Sequence, residues 1–101
     1  KQYSRSWISL MPTNLYGPND NFNVETGHVI PALINKFETA KRLKNPFVKL
    51  WGSGNALREF MYVDDLAAAV MFCMNKFDSS QHINIGTGKE ISIKNLATLI
   101  A

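Results

Sequence analysis

Arg58-Glu59-Phe60-Met61-Tyr62-Val63-Asp64-Asp65-Leu66-Ala67-Ala68-Ala69-Val70 passes from strand-like to helix-like composition within a few residues. Phe60 to Val63 is apolar and aromatic, which predicts a short strand. Asp64 then reads as the N-cap of a helix over Asp65 to Phe77, with the acidic pair at the positive end of the helix dipole. Leu66, Val70, Met74 and Phe77 recur at helical spacing and predict its buried stripe, while Ala67, Ala68 and Ala69 allow close packing. Downstream, His82 to Ile85 predicts a strand that runs into the turn Gly86-Thr87-Gly88. Ser92 caps a further helix, with Ile91 and Leu96 placed as a hydrophobic staple. Upstream, Trp7 to Leu15 is a mostly apolar run that suits a buried parallel strand, with an exit turn at Tyr16-Gly17-Pro18. Pro12 cannot donate to a ladder, so pairing is expected to end near it. Asn19 to Gly27 reads as a loop, and His28 to Arg42 as a helix that tolerates Pro31 in its first turn. Ile30, Leu33, Ile34 and Phe37 give that helix its apolar face. Phe47 to Trp51 is expected to form a short strand before the turn Gly52-Ser53-Gly54-Asn55. Strands alternate with helices, so the fold class is α/β.

The 101 residues are 46% hydrophobic and 19% charged, which is enough apolar material to bury a core and excludes a disordered or collagen-like chain. Cys73 is the single cysteine, so a disulfide framework and a multi-cysteine zinc site are excluded. A reducing, cytoplasmic setting fits that usage. No apolar run approaches the roughly 20 residues of a membrane span, so no membrane partner is expected. The polar opening Lys1-Gln2-Tyr3-Ser4-Arg5 does not resemble a signal peptide. The net charge of +3 comes from scattered cations, which suits an anionic small molecule at least as well as a nucleic acid. Both ends predict a piece of a longer protein. A strand-like run begins almost at once, and the apolar spacing of Ser92 to Ala101 meets no closing Gly or Pro.

Three segments could carry chemistry. In Pro12-Thr13-Asn14-Leu15-Tyr16-Gly17-Pro18, a polar Asn stands at the carboxyl end of a buried strand, where open α/β sheets bind ligands. Its amide could meet a carboxamide or a sugar hydroxyl, or it could simply satisfy loop backbone. His28, at the start of a helix, could exchange a proton near neutral pH, or it could be a cap or a solvated side chain. Trp51-Gly52-Ser53-Gly54 with Arg58 could stack on a base or sugar face and grip a diphosphate. The other reading is a hairpin whose Trp packs in a core and whose Arg pairs with Glu59 or Asp64. Neither Gly52-Ser53-Gly54 nor Gly86-Thr87-Gly88 is a dinucleotide fingerprint, since the third glycine and the helix in phase are missing. Cys73 reads as a small core residue, and His28, His82 and Cys73 lack the spacing of metal ligands. Lys41-Arg42-Leu43-Lys44 reads as a solvated helix end, with no neighbouring aromatics to suggest nucleic acid.

In this order the segments resemble the extended short-chain dehydrogenase/reductases that modify nucleotide sugars. Arg58-Glu59-Phe60-Met61-Tyr62-Val63-Asp64-Asp65 is similar to that superfamily's Arg-acid-Phe-x-aromatic-Val-x-Asp block, and Asn84-Ile85-Gly86-Thr87-Gly88 to its Asn-x-Gly-x-Gly turn. Met11-Pro12-Thr13-Asn14-Leu15-Tyr16-Gly17-Pro18-Asn19-Asp20-Asn21-Phe22, followed by Gly27-His28-Val29-Ile30-Pro31-Ala32-Leu33, resembles the GDP-L-fucose synthase branch. Those enzymes are NADPH-dependent and act on GDP-4-keto-6-deoxymannose as 3,5-epimerases and 4-reductases.

The resemblance implies a fragment of an NAD(P)-binding Rossmann sheet joined to the smaller substrate-binding domain. Residues 1–18 would be a late Rossmann strand and exit turn, 19–63 a substrate-binding segment, 64–85 the return to the sheet, and 86–101 the start of a substrate-domain helix. Pro12, Thr13, Asn14 and Leu15 would lie beside the nicotinamide of NADPH. His28 would reprotonate the sugar and touch the cofactor. Lys36 and Arg58 would hold the diphosphate of the GDP-sugar, with Trp51 near the nucleotide. Gly27 stands where the branch often has Ser. The Gly-rich phosphate loop, the Tyr-x-x-x-Lys pair and the cysteine base of the branch are not in these residues, and Cys73 is not expected to replace that base. The 101 residues alone should therefore be inactive, and the parent enzyme a cytoplasmic homodimer. Another nucleotide-sugar epimerase, dehydratase or reductase is the nearest alternative, and a non-catalytic nucleotide-binding module the more distant one.

Overall fold

The computed structural model describes residues 7–101. Eight elements follow one another: β1 (Ser9–Pro12), β2 (Asn14–Tyr16), α1 (Val29–Arg42), β3 (Leu57–Tyr62), α2 (Val63–Lys76), β4 (His82–Ile85), β5 (Glu90–Ser92) and α3 (Ile93–Ile100). The chain divides into two compact units. One takes the described residues up to Gly17 together with Glu59–Lys89, and the other takes Pro18–Arg58 and Glu90–Ala101. Strand β3 runs through the point where the first unit resumes.

In the first unit β1 pairs with β4 in parallel, from Ser9 opposite His82 to Pro12 opposite Ile85. Strand β2 pairs in parallel with β3, with Asn14 opposite Phe60 and Tyr16 opposite Tyr62. The run expected as one strand from Trp7 to Leu15 is thus two strands, broken at Thr13. Pro12 ends the first ladder, as its missing N–H requires, and the chain then changes partner. Thr13 still donates its N–H to the Ile85 carbonyl at 3.0 Å, while its hydroxyl donates to the Glu59 carbonyl at 2.9 Å. The Tyr16 and Tyr62 rings stand 5.6 Å apart at 57° and reinforce the β2–β3 register.

Helix α2 starts two residues earlier than expected. Tyr62 occupies the N-cap and makes no side-chain cap bond, so Asp64 and Asp65 lie in the first turn, where the dipole still favours them. Of the expected stripe, Met74 is 65% exposed and Leu66, Val70 and Phe77 are half-buried. The fully buried position of the helix is Cys73, which agrees with its reading as a small core residue.

In the second unit α1 has His28 as its N-cap and Pro31 in its first turn, and Pro31 is fully buried. A proline is stable there because its missing N–H would have had no intrahelical partner. Ile30, Leu33 and Ala40 of α1, with Leu96 and Ala97 of α3, form the core of this unit, whereas Ile34 is 41% exposed. Ser92 caps α3 by accepting from the Asn95 N–H at 3.2 Å, as its sequence predicts. Two bonds tie the start of α3 to the turn before β3: Ile93 N–H to the Ala56 carbonyl at 3.1 Å and Lys94 N–H to the Gly54 carbonyl at 2.9 Å.

The strand expected over Phe47–Trp51 does not form. Those residues are irregular, Phe47 is 78% exposed, and the Lys49 carbonyl accepts from the Lys36 ammonium rather than from a ladder. Strand β5, next to the turn at Gly88, was not foreseen, because three residues hold too little alternation to be recognised.

Candidate functional site

His28, expected to be the catalytic acid, and Lys36, Trp51 and Arg58, expected to hold substrate, all belong to the second unit. The loop leading to His28 is shaped by its own asparagines. Asn21 Oδ1 accepts from the Asn23 N–H at 3.1 Å, and Asn23 Oδ1 accepts from the N–H groups of Glu25 at 2.8 Å and Thr26 at 3.1 Å. Asn35 of α1 donates its amide to the Phe22 carbonyl at 2.6 Å and fastens the loop to the helix. These side chains act as local turn-formers. At its end Gly27 donates to the Asn23 carbonyl at 2.8 Å, and a Cβ on Gly27 would run into the carbonyl oxygens of Asn21 and Asn23. Its side chain exposed, His28 enters α1 with its carbonyl accepting from the Ala32 N–H at 3.0 Å.

Two turns along α1, Lys36 reaches Trp51. Its ammonium lies 4.4 Å from the indole centroid and donates to the Lys49 carbonyl at 3.3 Å. That is cation–π geometry. Trp51 is 69% exposed, so the reading in which it packs in a core is excluded. The pair helps line a pocket of about 220 Å³, together with Gly27, Val29, Leu33 and Leu50 among others. Both chain neighbours of His28 therefore line the same pocket as Lys36 and Trp51. Arg58 is exposed, and its Nη1 donates to the Leu57 carbonyl at 2.7 Å. Arg58 is not among the residues that line the pocket.

Pro12, Thr13, Asn14 and Leu15 lie in the first unit, at the carboxyl end of β1 and the start of β2. Asn14 donates its amide to the Glu59 carbonyl at 2.9 Å. Since that carbonyl can only accept, the amide orientation is settled, and Asn14 Oδ1 is left as an acceptor. Pro12 and Asn14 are exposed. An exposed amide at the carboxyl ends of parallel strands fits the nicotinamide end of a dinucleotide, both by position and by donor–acceptor chemistry.

Glu59 escaped the sequence reading as a functional residue. Its carboxylate Oε1 accepts from the Gly88 N–H at 2.6 Å and from the Thr87 hydroxyl at 3.1 Å. The Gly88 bond above all holds the carboxyl below the ordinary Glu value, with burial opposing it and Thr87 adding to it. A Cβ on Gly86 would collide with the same carboxylate. The Arg-acid-Phe block and the Asn-x-Gly-x-Gly turn are thus two halves of one contact, and the acid between Arg58 and Phe60 was the available signal. Among the described residues no group of three or more His, Cys, Asp and Glu side chains is arranged to hold a metal ion.

Parallel strands with crossover connections, a Gly-containing turn seated on an acid and an Asn at the strand ends define an α/β fold of the Rossmann type. The chain belongs to the NAD dependent epimerase/dehydratase family, whose pattern matches residues 1–86. It is 52% identical over 99 residues to the probable GDP-L-fucose synthase 1 of Oryza sativa subsp. japonica, covering 98% of this chain and 30% of that protein. It is 50% identical over 99 residues to GDP-L-fucose synthase 1 of Arabidopsis thaliana, covering 98% of this chain and 31% of that protein. A crystal structure of a GDP-L-fucose synthetase from Naegleria fowleri bound to NADP matches with a TM-score of 0.86 at 39% identity, over 92% of this chain and 29% of that one. The chain therefore spans about 30% of the length of these relatives. The expected α/β, extended short-chain dehydrogenase/reductase fold is the observed one.

Proposed function

We propose that this chain is the substrate-binding part of an NADPH-dependent enzyme that converts GDP-4-keto-6-deoxymannose to GDP-L-fucose by epimerising two ring carbons and reducing the ketone. The observation that carries this reading is the pocket lined by Lys36, Trp51 and both chain neighbours of His28, Gly27 and Val29. The names of the similar proteins support the same substrate class.

In this reading the exposed indole of Trp51 offers a stacking face near the nucleotide, and Lys36 fixes the ring from its other contact. One of the three Lys36 donors is engaged with Lys49, so two remain for phosphate oxygens. Arg58 has one of five donors engaged and adds a second cation for the diphosphate. Epimerisation beside a ketone needs one group to remove the carbon-bound proton and another to return one on the opposite face. His28 returns the proton. Cys73 is not the base, because it is buried within α2. NADPH, when bound, supplies the hydride that the keto carbon receives. Pro12, Thr13, Asn14 and Leu15 would hold its nicotinamide end, with His28 also against it. A cytoplasmic homodimer goes with this reading; no described helix is long and apolar enough to cross a membrane.

Calorimetric titration of the full-length enzyme with GDP tests the subsite. Trp51→Ala should weaken binding about 10-fold, a typical loss for one stacked base. Arg58→Ala should weaken it by at least as much, as expected of a charge-assisted phosphate contact. Unchanged affinity in both variants would overturn the assignment.

A further inference from the structure

Glu59 holds two segments at once, through different atoms. Its carboxylate is bound by the Gly88 N–H at 2.6 Å and the Thr87 hydroxyl at 3.1 Å, on the turn that follows β4. Its main-chain carbonyl is bound by the Thr13 hydroxyl at 2.9 Å and the Asn14 amide at 2.9 Å, where β1 gives way to β2. Thr87 in turn accepts from the Lys89 N–H at 3.3 Å, so the turn is closed on itself while it is closed on Glu59. Gly86 has no room for a side chain because this carboxylate stands where a Cβ would be. The Gly88 N–H above all holds the Glu59 carboxyl below its ordinary value, so the clamp is formed by the ionised acid.

A main-chain carbonyl can orient two side chains only if its own peptide plane is held. Strand pairing of Phe60 with Asn14 fixes that plane from one side. The carboxylate, tied to Gly88 and Thr87, fixes the residue from the other. We propose that Glu59 is a positioning residue for the cofactor side of the site: its carboxylate clamps the Gly86–Gly88 turn so that its carbonyl presents Thr13 and Asn14 in a pre-formed arrangement to the nicotinamide end of NADPH. Glu59 itself touches no cofactor. The proposal rests on the reading of Pro12–Leu15 as the nicotinamide-facing segment, and pre-organisation of that kind acts on affinity by removing an ordering cost from binding.

The test is a fluorescence titration of the full-length enzyme with NADPH, without sugar, beside steady-state kinetics with the GDP-keto sugar. Glu59→Gln keeps the shape and an accepting oxygen but replaces charge-assisted bonds with neutral ones, and should weaken NADPH binding about 5-fold. The KM for the sugar should stay unchanged, while the melting temperature at neutral pH falls modestly as the charge-assisted bonds become neutral ones. Thr87→Val, which removes one bond to the carboxylate and leaves Thr13 and Asn14 untouched, should weaken NADPH binding in the same direction by a smaller factor. A purely structural role would lower stability and the active fraction in both variants while leaving NADPH affinity per folded molecule as in the wild type. That result overturns the proposal. If NADPH binding responds as expected but the wild type does not turn over the GDP-keto sugar, the clamp stands and the substrate reading falls. If the wild type does not bind NADPH, both fall.

Discussion

At Gly27 the chain passes so close to the carbonyls of Asn21 and Asn23 that only hydrogen fits in the place of a side chain, and the next residue is His28. The loop that delivers His28 is therefore set by packing at its neighbour. Gly27→Ser should cost about 1–3 kcal/mol, the usual range for overpacking a tight site. It should also lower formation of epimerised product more than NADPH binding, because the displaced group is His28. Thermal unfolding together with product analysis by NMR checks both; a stable variant with normal product would mean that the loop can open without moving His28. Some residue roles were legible in the sequence and others were not, for a physical reason. Ser92 as a cap, Pro31 in a first turn and Cys73 as core were legible because each obeys a rule with a range of one helical turn. Glu59 was not, because its partners are 28 and 29 residues away along the chain on one side and 45 and 46 on the other.

Among the elements, the strand-to-helix passage at β3 and α2 shows where local rules stop. An Asp ahead of an apolar helical run is a strong cap signal, yet Tyr62 holds the N-cap position, because the aromatic ring is fixed by Tyr16 across the β2–β3 ladder. Tertiary pairing here overrides the capping preference. Phe47–Trp51 fails in the opposite way: it alternates like a strand, but no ladder partner is placed beside it. The contact between β3 and the Gly86–Gly88 turn has a pH dependence that can be worked out. The Glu59 carboxyl is held below its ordinary value, chiefly by Gly88, so the ionised form is the one the fold favours. Its stabilising contribution is fully present above the ordinary carboxylate range and is lost as pH falls through the lowered value. The stability difference between the wild-type full-length enzyme and Glu59→Gln, followed by denaturant unfolding, should therefore be constant near neutrality and shrink in acid. A difference that stays flat until the wild type itself unfolds in acid would show that the carboxylate does not titrate against the turn.

For the molecule as a whole, the two units divide the predicted residues by task. The unit of parallel strands carries Pro12–Leu15 and the Glu59 clamp, and the unit built on α1 and α3 carries His28, Lys36, Trp51 and Arg58. The α/β class was legible because it depends only on the alternation of elements, which survives errors of a few residues at their ends. The break at Thr13 was not, because one apolar run serves two ladders with different partners. The claim that joins these levels is that His28 returns the proton on a GDP-linked sugar. Its most direct test follows NADPH oxidation by the full-length enzyme with GDP-4-keto-6-deoxymannose and with a dTDP-linked keto sugar, in the wild type and in His28→Asn. Turnover of the GDP sugar alone, with the epimerised product lost in the variant, is the predicted result. Preference for the dTDP sugar, or epimerised product undiminished without His28, would contradict the account.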